Sequence, residues 1–125
     1  GHAAELSNKT KDIWMEQCFK IKQEALKAFN NPAYRIYGTE DETTLPNTLS
    51  ISFNSHAEAV IITLKEIAEI ATGSACTSES YSPSHVLTAM GLDSDAAKNV
   101  VRISWGPETN PEIFTKISQA LEILE

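Results

Sequence analysis

The spacing of hydrophobic side chains predicts a long amphipathic helix at the start of the chain and a shorter one at its end. Over residues 4–29, apolar side chains recur every three or four positions, at Trp14, Cys18, Ile21, Ala25 and Phe29. That spacing places them on one helical face. Residues 109–112 have the spacing of a capping box. The buried stripe of a final helix follows, at Ile113, Ile117, Ala120 and Leu124.

Alternation of apolar and polar residues predicts strands in the middle of the chain. Residues 49–53 alternate strictly, as a strand with one buried face does. Residues 101–105 alternate in the same way, which places Arg102 on the face opposite Ile103. Residues 34–37 and 69–71 are shorter strand candidates.

Two further helices are predicted between the strands. Residues 57–67 form an amphipathic pattern preceded by a capping-box spacing at Ser55 and Glu58. A second helix begins at Pro83, after Ser82 as its cap, and ends at Gly91. The order is helix, strand, strand, helix, strand, loop, helix, strand, helix. We therefore expect one α+β domain over residues 1–125, with a small antiparallel or mixed sheet of three to four short strands covered by helices.

Composition and charge exclude several classes of function. The chain has 125 residues and a net charge of −7, which argues against direct binding to nucleic acid. The basic residues between Lys9 and Lys22 alternate with acidic ones, as on a solvated helix face. No apolar run is long enough to cross a membrane. Gly1 and His2 resemble a cloning remnant, and no export signal follows them, so we expect a cytoplasmic protein.

The two cysteines lie in different contexts. Cys18 belongs to the apolar stripe of the first helix and is predicted to pack in the core. Cys76 lies in residues 72–84, where nearly every side chain is small or hydroxylic, so this segment is predicted to be a mobile surface loop. Such a loop gives a nucleophilic thiol solvent access, although a lone loop cysteine is more often inert. The three histidines have no metal-ligand spacing, and we expect no resident metal.

Arg102 is the second candidate for chemistry. A guanidinium that is partly buried on a strand needs a partner. That partner is either a structural carboxylate or the carboxylate of a bound ligand. The pattern alone favours the structural salt bridge.

Three segments in order resemble one family. Residues 71–78 and 82–92, with the sequences ATGSACTS and SPSHVLTAMGL, are similar to the active-cysteine loop and the following helix of the group I, NifS/IscS-like cysteine desulfurases. Residues 101–106 resemble the arginine strand of that family, and residues 45–54 resemble the strand that enters its small domain. The resemblance implies the C-terminal small domain of a fold-type I, class V aminotransferase-like enzyme. Residues 79–81 and Trp105 resemble the branch that serves DNA phosphorothioation.

The resemblance implies a reaction and its partners. L-cysteine would be converted to L-alanine with pyridoxal phosphate, with Cys76 accepting the sulfur as a persulfide and Arg102 binding the substrate carboxylate. The rest of the active-site loop would be Gly73, Ser74, Ala75, Thr77 and Ser78. The sulfur would pass to an acceptor or scaffold protein for iron–sulfur cluster assembly, tRNA thiolation or DNA phosphorothioation. In a scaffold complex, Cys76 could serve as a transient iron–sulfur ligand. The whole enzyme would be a homodimer.

The chain departs from the family in lacking cofactor-binding residues. No lysine is placed to form the internal Schiff base, because Lys20, Lys22, Lys65 and Lys116 all fall on predicted helix faces. No histidine is placed to stack on the pyridoxal ring, and His85 is not its equivalent. We therefore expect the chain alone to be inactive, with the cofactor held by an absent large domain.

Two alternatives remain at this stage. The first is a non-catalytic docking module with the same fold. The second is another pyridoxal enzyme, such as an aminotransferase or a selenocysteine lyase, which would keep Arg102 but would not need the long serine-rich loop.

Overall fold

The computed structural model describes residues 1–38, 43–72 and 84–124. The helices are α1 (His2–Ala28), α2 (Ala57–Leu64), α3 (His85–Ala89), α4 (Ser94–Ala97) and α5 (Glu112–Leu121), followed by a 3₁₀ turn at Glu122–Leu124. The strands are β1 (Arg35–Tyr37), β2 (Thr48–Ser52), β3 (Ala71–Thr72) and β4 (Val100–Ser104). The predicted α+β class is confirmed. The short helix α4 was not predicted.

The four strands form one antiparallel sheet in the order β1-β2-β4-β3. Alternate residues of a strand point to opposite faces, and the observed register brings the apolar residues at the centre of the strands to the same side. Ile36, Ile51 and Val101 align across β1, β2 and β4. We call this side the inner face and the opposite side the outer face.

Helices α1, α2 and α5 cover the inner face and complete the main core. Phe29 at the end of α1 packs edge-on against Phe53 at 5.2 Å and against Phe114 of α5 at 5.9 Å between ring centroids. Trp105, just after β4, packs against Phe114 at 5.5 Å. Edge-to-face ring pairs of this kind add to the stabilisation from burial alone.

Trp105 also ties α1 to the sheet by a hydrogen bond. Its indole Nε1–H donates to the carbonyl oxygen of Cys18 over 3.1 Å, and the bond is buried. Buried tryptophan N–H groups need such a partner. The end of β4 and the middle of α1 are therefore held by one polar contact inside an apolar core.

Only the second half of α1 packs against the domain. Residues 1–17 are all exposed, whereas Cys18, Ile21, Ala25 and Phe29 are buried. The prediction that Trp14 belongs to the buried stripe is wrong, since it is 36% exposed. The apolar spacing therefore continues into the first half of α1, where the helix is not packed against the rest of the described domain.

Lys22 also departs from its prediction. It was expected on a solvated helix face, but it is only 1% exposed. Its Nζ donates to the hydroxyl of Thr44 and to the carbonyl of Leu45. The ammonium is thus desolvated but hydrogen-bonded, as a buried charge must be, and it fixes α1 to the segment that leads into β2.

The predicted capping boxes are wrong. Helix α2 begins after His56 without a side-chain cap. At the start of α5, Thr109 accepts a hydrogen bond from the backbone of Gly106, and the Asn110 side chain accepts from the backbone N–H of Glu112. The predicted cap Ser82 and first helical residue Pro83 lie outside the described residues, and α3 begins after Ser84.

The buried residues of α5 are shifted from the predicted stripe. Phe114, Ile117 and Leu121 are buried, whereas Ile113, Ala120 and Leu124 are only partly buried. The aromatic contacts of Phe114 select this orientation of the helix. The predicted end of α3 at Gly91 is confirmed by its φ of 88°, a conformation that favours glycine.

A second, small apolar cluster lies on the outer face. Leu87 of α3, Ala97 of α4 and Val100 of β4 are buried together, with Tyr37 packed against them. Asp93 caps α4 by accepting from the backbone N–H groups of Asp95 and Ala96. Helices α3 and α4 thus cover the end of the outer face around Val100.

Candidate functional site

The outer face carries one row of side chains across all four strands. In register order the row is Tyr37, Ser50, Arg102 and Ala71. Arg102 is exposed, while Val101 and Ile103 on either side of it are buried. The alternation therefore predicted correctly that the Arg102 side chain lies on the face opposite Ile103. The strand that carries it, β4, has a neighbouring strand on each side.

The structural salt bridge favoured for Arg102 from its sequence pattern is absent from the described part of the chain. The ion pairs found there all join lysines to glutamates or aspartates. The reason is geometric: the cross-strand neighbours of Arg102 are Ser50 and Ala71, neither of which is acidic. The guanidinium is left open to a ligand.

Hydroxyl groups surround this arginine. Beyond it on the same face, Thr48 and Ser104 face each other and their hydroxyls lie 3.2 Å apart. Ser50 faces Arg102 itself. These residues were not predicted to be functional, although the period-two alternation in β2 and β4 placed them on the face of Arg102. A planar guanidinium among neutral hydroxyls is suited to bind a carboxylate with two hydrogen bonds.

The predicted nucleophile Cys76 lies outside the described residues, as do Gly73, Ser74, Ala75, Thr77 and Ser78. The described residues that flank this segment are Thr72 at the end of β3 and Ser84 before α3. Thr72 pairs with Val101, next to Arg102, and Ser84 precedes α3, which packs on the outer face. The structure thus places Arg102 beside the strand from which this segment departs.

Cys18 is confirmed as a core residue. It is fully buried, and burial raises the pKa of its thiol. A thiol held neutral and shielded from solvent is a poor nucleophile. The chemistry predicted for a cysteine therefore does not belong to Cys18.

The described residues do not fit pyridoxal phosphate. Lys22 is buried and engaged by Thr44 and Leu45. Five other lysines form ion pairs with nearby carboxylates, namely the exposed Lys9, Lys20, Lys27 and Lys65 and the half-buried Lys98. His56 and His85 are exposed. None of these side chains is a cross-strand neighbour of Arg102.

Within the described ranges, no cluster of three or more histidine, cysteine or acidic side chains is placed to hold a metal ion. Among the helices described, none is long and apolar enough to span a membrane.

Comparison with solved structures indicates the class of protein. A NifS-like protein from Rickettsia africae superposes with a TM-score of 0.77 at 24% identity, over 99% of this chain and 32% of that one. DndA from Streptomyces lividans is 35% identical with a TM-score of 0.59, over 84% of this chain and 29% of that one. The fold is therefore that of part of a NifS-like protein.

Sequence comparison relates the chain to cysteine desulfurases. The cysteine desulfurase IscS of Acinetobacter baumannii strain AYE is 32% identical over 113 residues, which are 90% of this chain and 28% of that protein. No protein-family model matches the chain. The chain is thus a homologue of NifS/IscS-like cysteine desulfurases, and it spans less than a third of the length of these relatives.

Proposed function

We propose that this chain is the C-terminal small domain of a pyridoxal-phosphate-dependent cysteine desulfurase and that it supplies two functional residues to the whole enzyme. Arg102 binds the carboxylate of L-cysteine, and Cys76 receives its sulfur. The similarity to cysteine desulfurases supports the reaction. The cofactor is bound by parts of the enzyme outside this chain, where it supplies an electron sink.

The observation that supports the proposal is the exposed position of Arg102 and its lack of an ion-pair partner among the described residues. Arg102 lies on an inner strand, is exposed, and is not among the ion-paired side chains of the described residues. A guanidinium left without an acidic neighbour has its donors available for an incoming carboxylate. Strand pairing on both sides limits the movement of the Arg102 backbone, so the side chain is anchored at a fixed point of the outer face.

The transfer to Cys76 balances without an added oxidant. The thiolate attacks the substrate sulfur, an S–S bond forms, and the C–S bond of the substrate breaks. The electron pair of that bond stays on the carbon side, where a proton completes alanine, and Cys76 keeps the sulfur as a persulfide. Cys76 lies four positions after Thr72 of β3, and four such steps along the chain reach at most about 14 Å.

The persulfide then passes to an acceptor or scaffold protein. Iron–sulfur cluster assembly, tRNA thiolation and DNA phosphorothioation are the uses that we propose for this sulfur. In a scaffold complex, Cys76 would be a transient iron–sulfur ligand. The tryptophan at position 105 is the feature that supports the phosphorothioation branch. We propose a cytoplasmic homodimer for the whole enzyme.

The sulfur-carrying role is tested in the whole enzyme with Cys76→Ala and with Cys18→Ala as the matched control. Intact-mass analysis after incubation with L-cysteine should show one added sulfur atom in the control and none in Cys76→Ala, which should retain the absorption of bound cofactor. Sulfur transfer that survives in Cys76→Ala would overturn the assignment. In that case the docking-module interpretation would be favoured.

The carboxylate-binding role is tested with Arg102→Gln. Loss of a charge-assisted, two-pronged contact costs about 2 kcal/mol, which corresponds to about a thirtyfold higher KM for L-cysteine. Arg102→Lys keeps the charge but not the planar fork, so its KM should lie between those of Arg102→Gln and the unmodified enzyme. An unchanged KM in Arg102→Gln would show that this arginine does not bind the substrate.

A further inference from the structure

The closest cross-strand neighbour of Arg102 on β2 is Ser50. In antiparallel sheets, directly opposed Cβ atoms lie about 4.5–5.5 Å apart. A side chain at position 50 therefore stands beside the stem of the guanidinium. On the other side the neighbour is Ala71 of β3. Neither neighbour carries a charge.

The absence of an acid in this row contrasts with the rest of the chain. The sequence contains 17 acidic residues, yet none of the four strands includes one. An aspartate opposite an arginine would be a favourable cross-strand pair. Stability alone would therefore favour an acid at position 50, and the serine there leaves Arg102 without an internal competitor.

We propose that Ser50 is a positioning residue that keeps the Arg102 guanidinium available for a ligand carboxylate. A small neutral hydroxyl fits beside the stem and leaves the positive charge uncompensated. An internal carboxylate at the same place would occupy the N–H donors that a two-pronged ligand contact requires. It would also repel the ligand carboxylate. This inference rests on the proposed function of Arg102.

The geometric part is tested in this chain without any activity. In Ser50→Asp, NMR titration should place the pKa of the introduced carboxyl below the usual aspartate value of about 3.9, because the guanidinium favours its charged form. Adding Arg102→Gln should return that pKa toward the usual value. Thr48→Asp is the matched control, since it faces Ser104 instead of Arg102, and its carboxyl should shift less. Equal pKa values in the Ser50→Asp and Thr48→Asp variants would overturn the proposed proximity.

The functional part is tested by the KM of the whole enzyme for L-cysteine. Ser50→Asp should raise it up to about fivefold, the effect expected when a strong opposite-charge cross-strand pair competes for Arg102. Ser50→Asn, which is neutral and of similar size to aspartate, should change KM less than about twofold. A higher KM in Ser50→Asp than in Ser50→Asn would not be expected if Ser50 had only a structural role.

The outcomes separate this inference from the proposed function. If Arg102→Gln raises KM but Ser50→Asp and Ser50→Asn behave alike, the role of Ser50 is refuted while Arg102 remains the carboxylate-binding residue. If Arg102→Gln leaves KM unchanged, both proposals fall.

Discussion

Replacing Trp105 with phenylalanine removes the one hydrogen bond that joins the end of β4 to α1. The indole Nε1–H bonds the carbonyl of Cys18 at 3.1 Å, and the side chain is 6% exposed. A hydrogen bond of this kind contributes about 1 kcal/mol. The smaller ring also leaves a void beside Phe114 of about 40 Å³, which at about 24 cal/mol per Å³ costs about 1 kcal/mol more.

The expected loss for Trp105→Phe is therefore about 2 kcal/mol in the free energy of unfolding. Urea unfolding followed by far-ultraviolet circular dichroism measures it, and the urea dependence should keep its slope while the midpoint falls. Trp14→Phe is the control: this residue lies on the exposed half of α1, and we expect a change within about 0.5 kcal/mol. Equal losses in the two variants would refute the reasoning that the contact between Trp105 and α1 stabilises the fold.

Three further predictions concern α1 and the caps. Amide hydrogens of residues 3–17 should exchange with solvent much faster than those of residues 18–28, because an isolated helical segment of that length is marginal in water; equal protection would contradict this. Asp93→Ala should lower the free energy of unfolding by about 1 kcal/mol, since the cap accepts two backbone hydrogen bonds. Burial raises the pKa of Cys18 above 9.0, so its contribution to stability is present below that pH and lost as the pH rises through the raised value. Chemical unfolding at several pH values should therefore show a steeper loss above pH 9 than in Cys18→Ala, and identical slopes would count against this explanation.

The strands at the centre of the sheet were predictable where each face has a constant environment. Over residues 48–52 and 101–104, one face meets the core and the other carries polar side chains, so strict alternation records the register directly. The same pattern assigned the direction of Arg102 correctly. Its lack of an acidic partner was not predictable, because that depends on which strands lie beside β4, and the order β1-β2-β4-β3 is a tertiary property.

The helices show where local patterns fail. Periodicity identified α1, but it could not show that the domain surface ends before Trp14. It also could not show that Lys22 turns inward toward Thr44. At α5, the predicted stripe was shifted because Phe114 packs against two aromatic partners, Phe29 and Trp105. The capping predictions were wrong for a different reason. Ser55 and Thr109 have the spacing of capping residues, but α2 begins after His56 and α5 begins after Pro111.

The bond between the Trp105 indole and α1 gives the molecule an optical property. The chain has two tryptophans, one held in the core against the carbonyl of Cys18 and one on the exposed half of α1. Separation of α1 from the sheet would bring water to the indole of Trp105 and move its fluorescence to longer wavelengths. Trp14 would respond instead to any surface that covers the exposed half of the helix. Two single-tryptophan variants thus turn the natural fluorescence of the protein into separate reports on internal and external contacts of one helix.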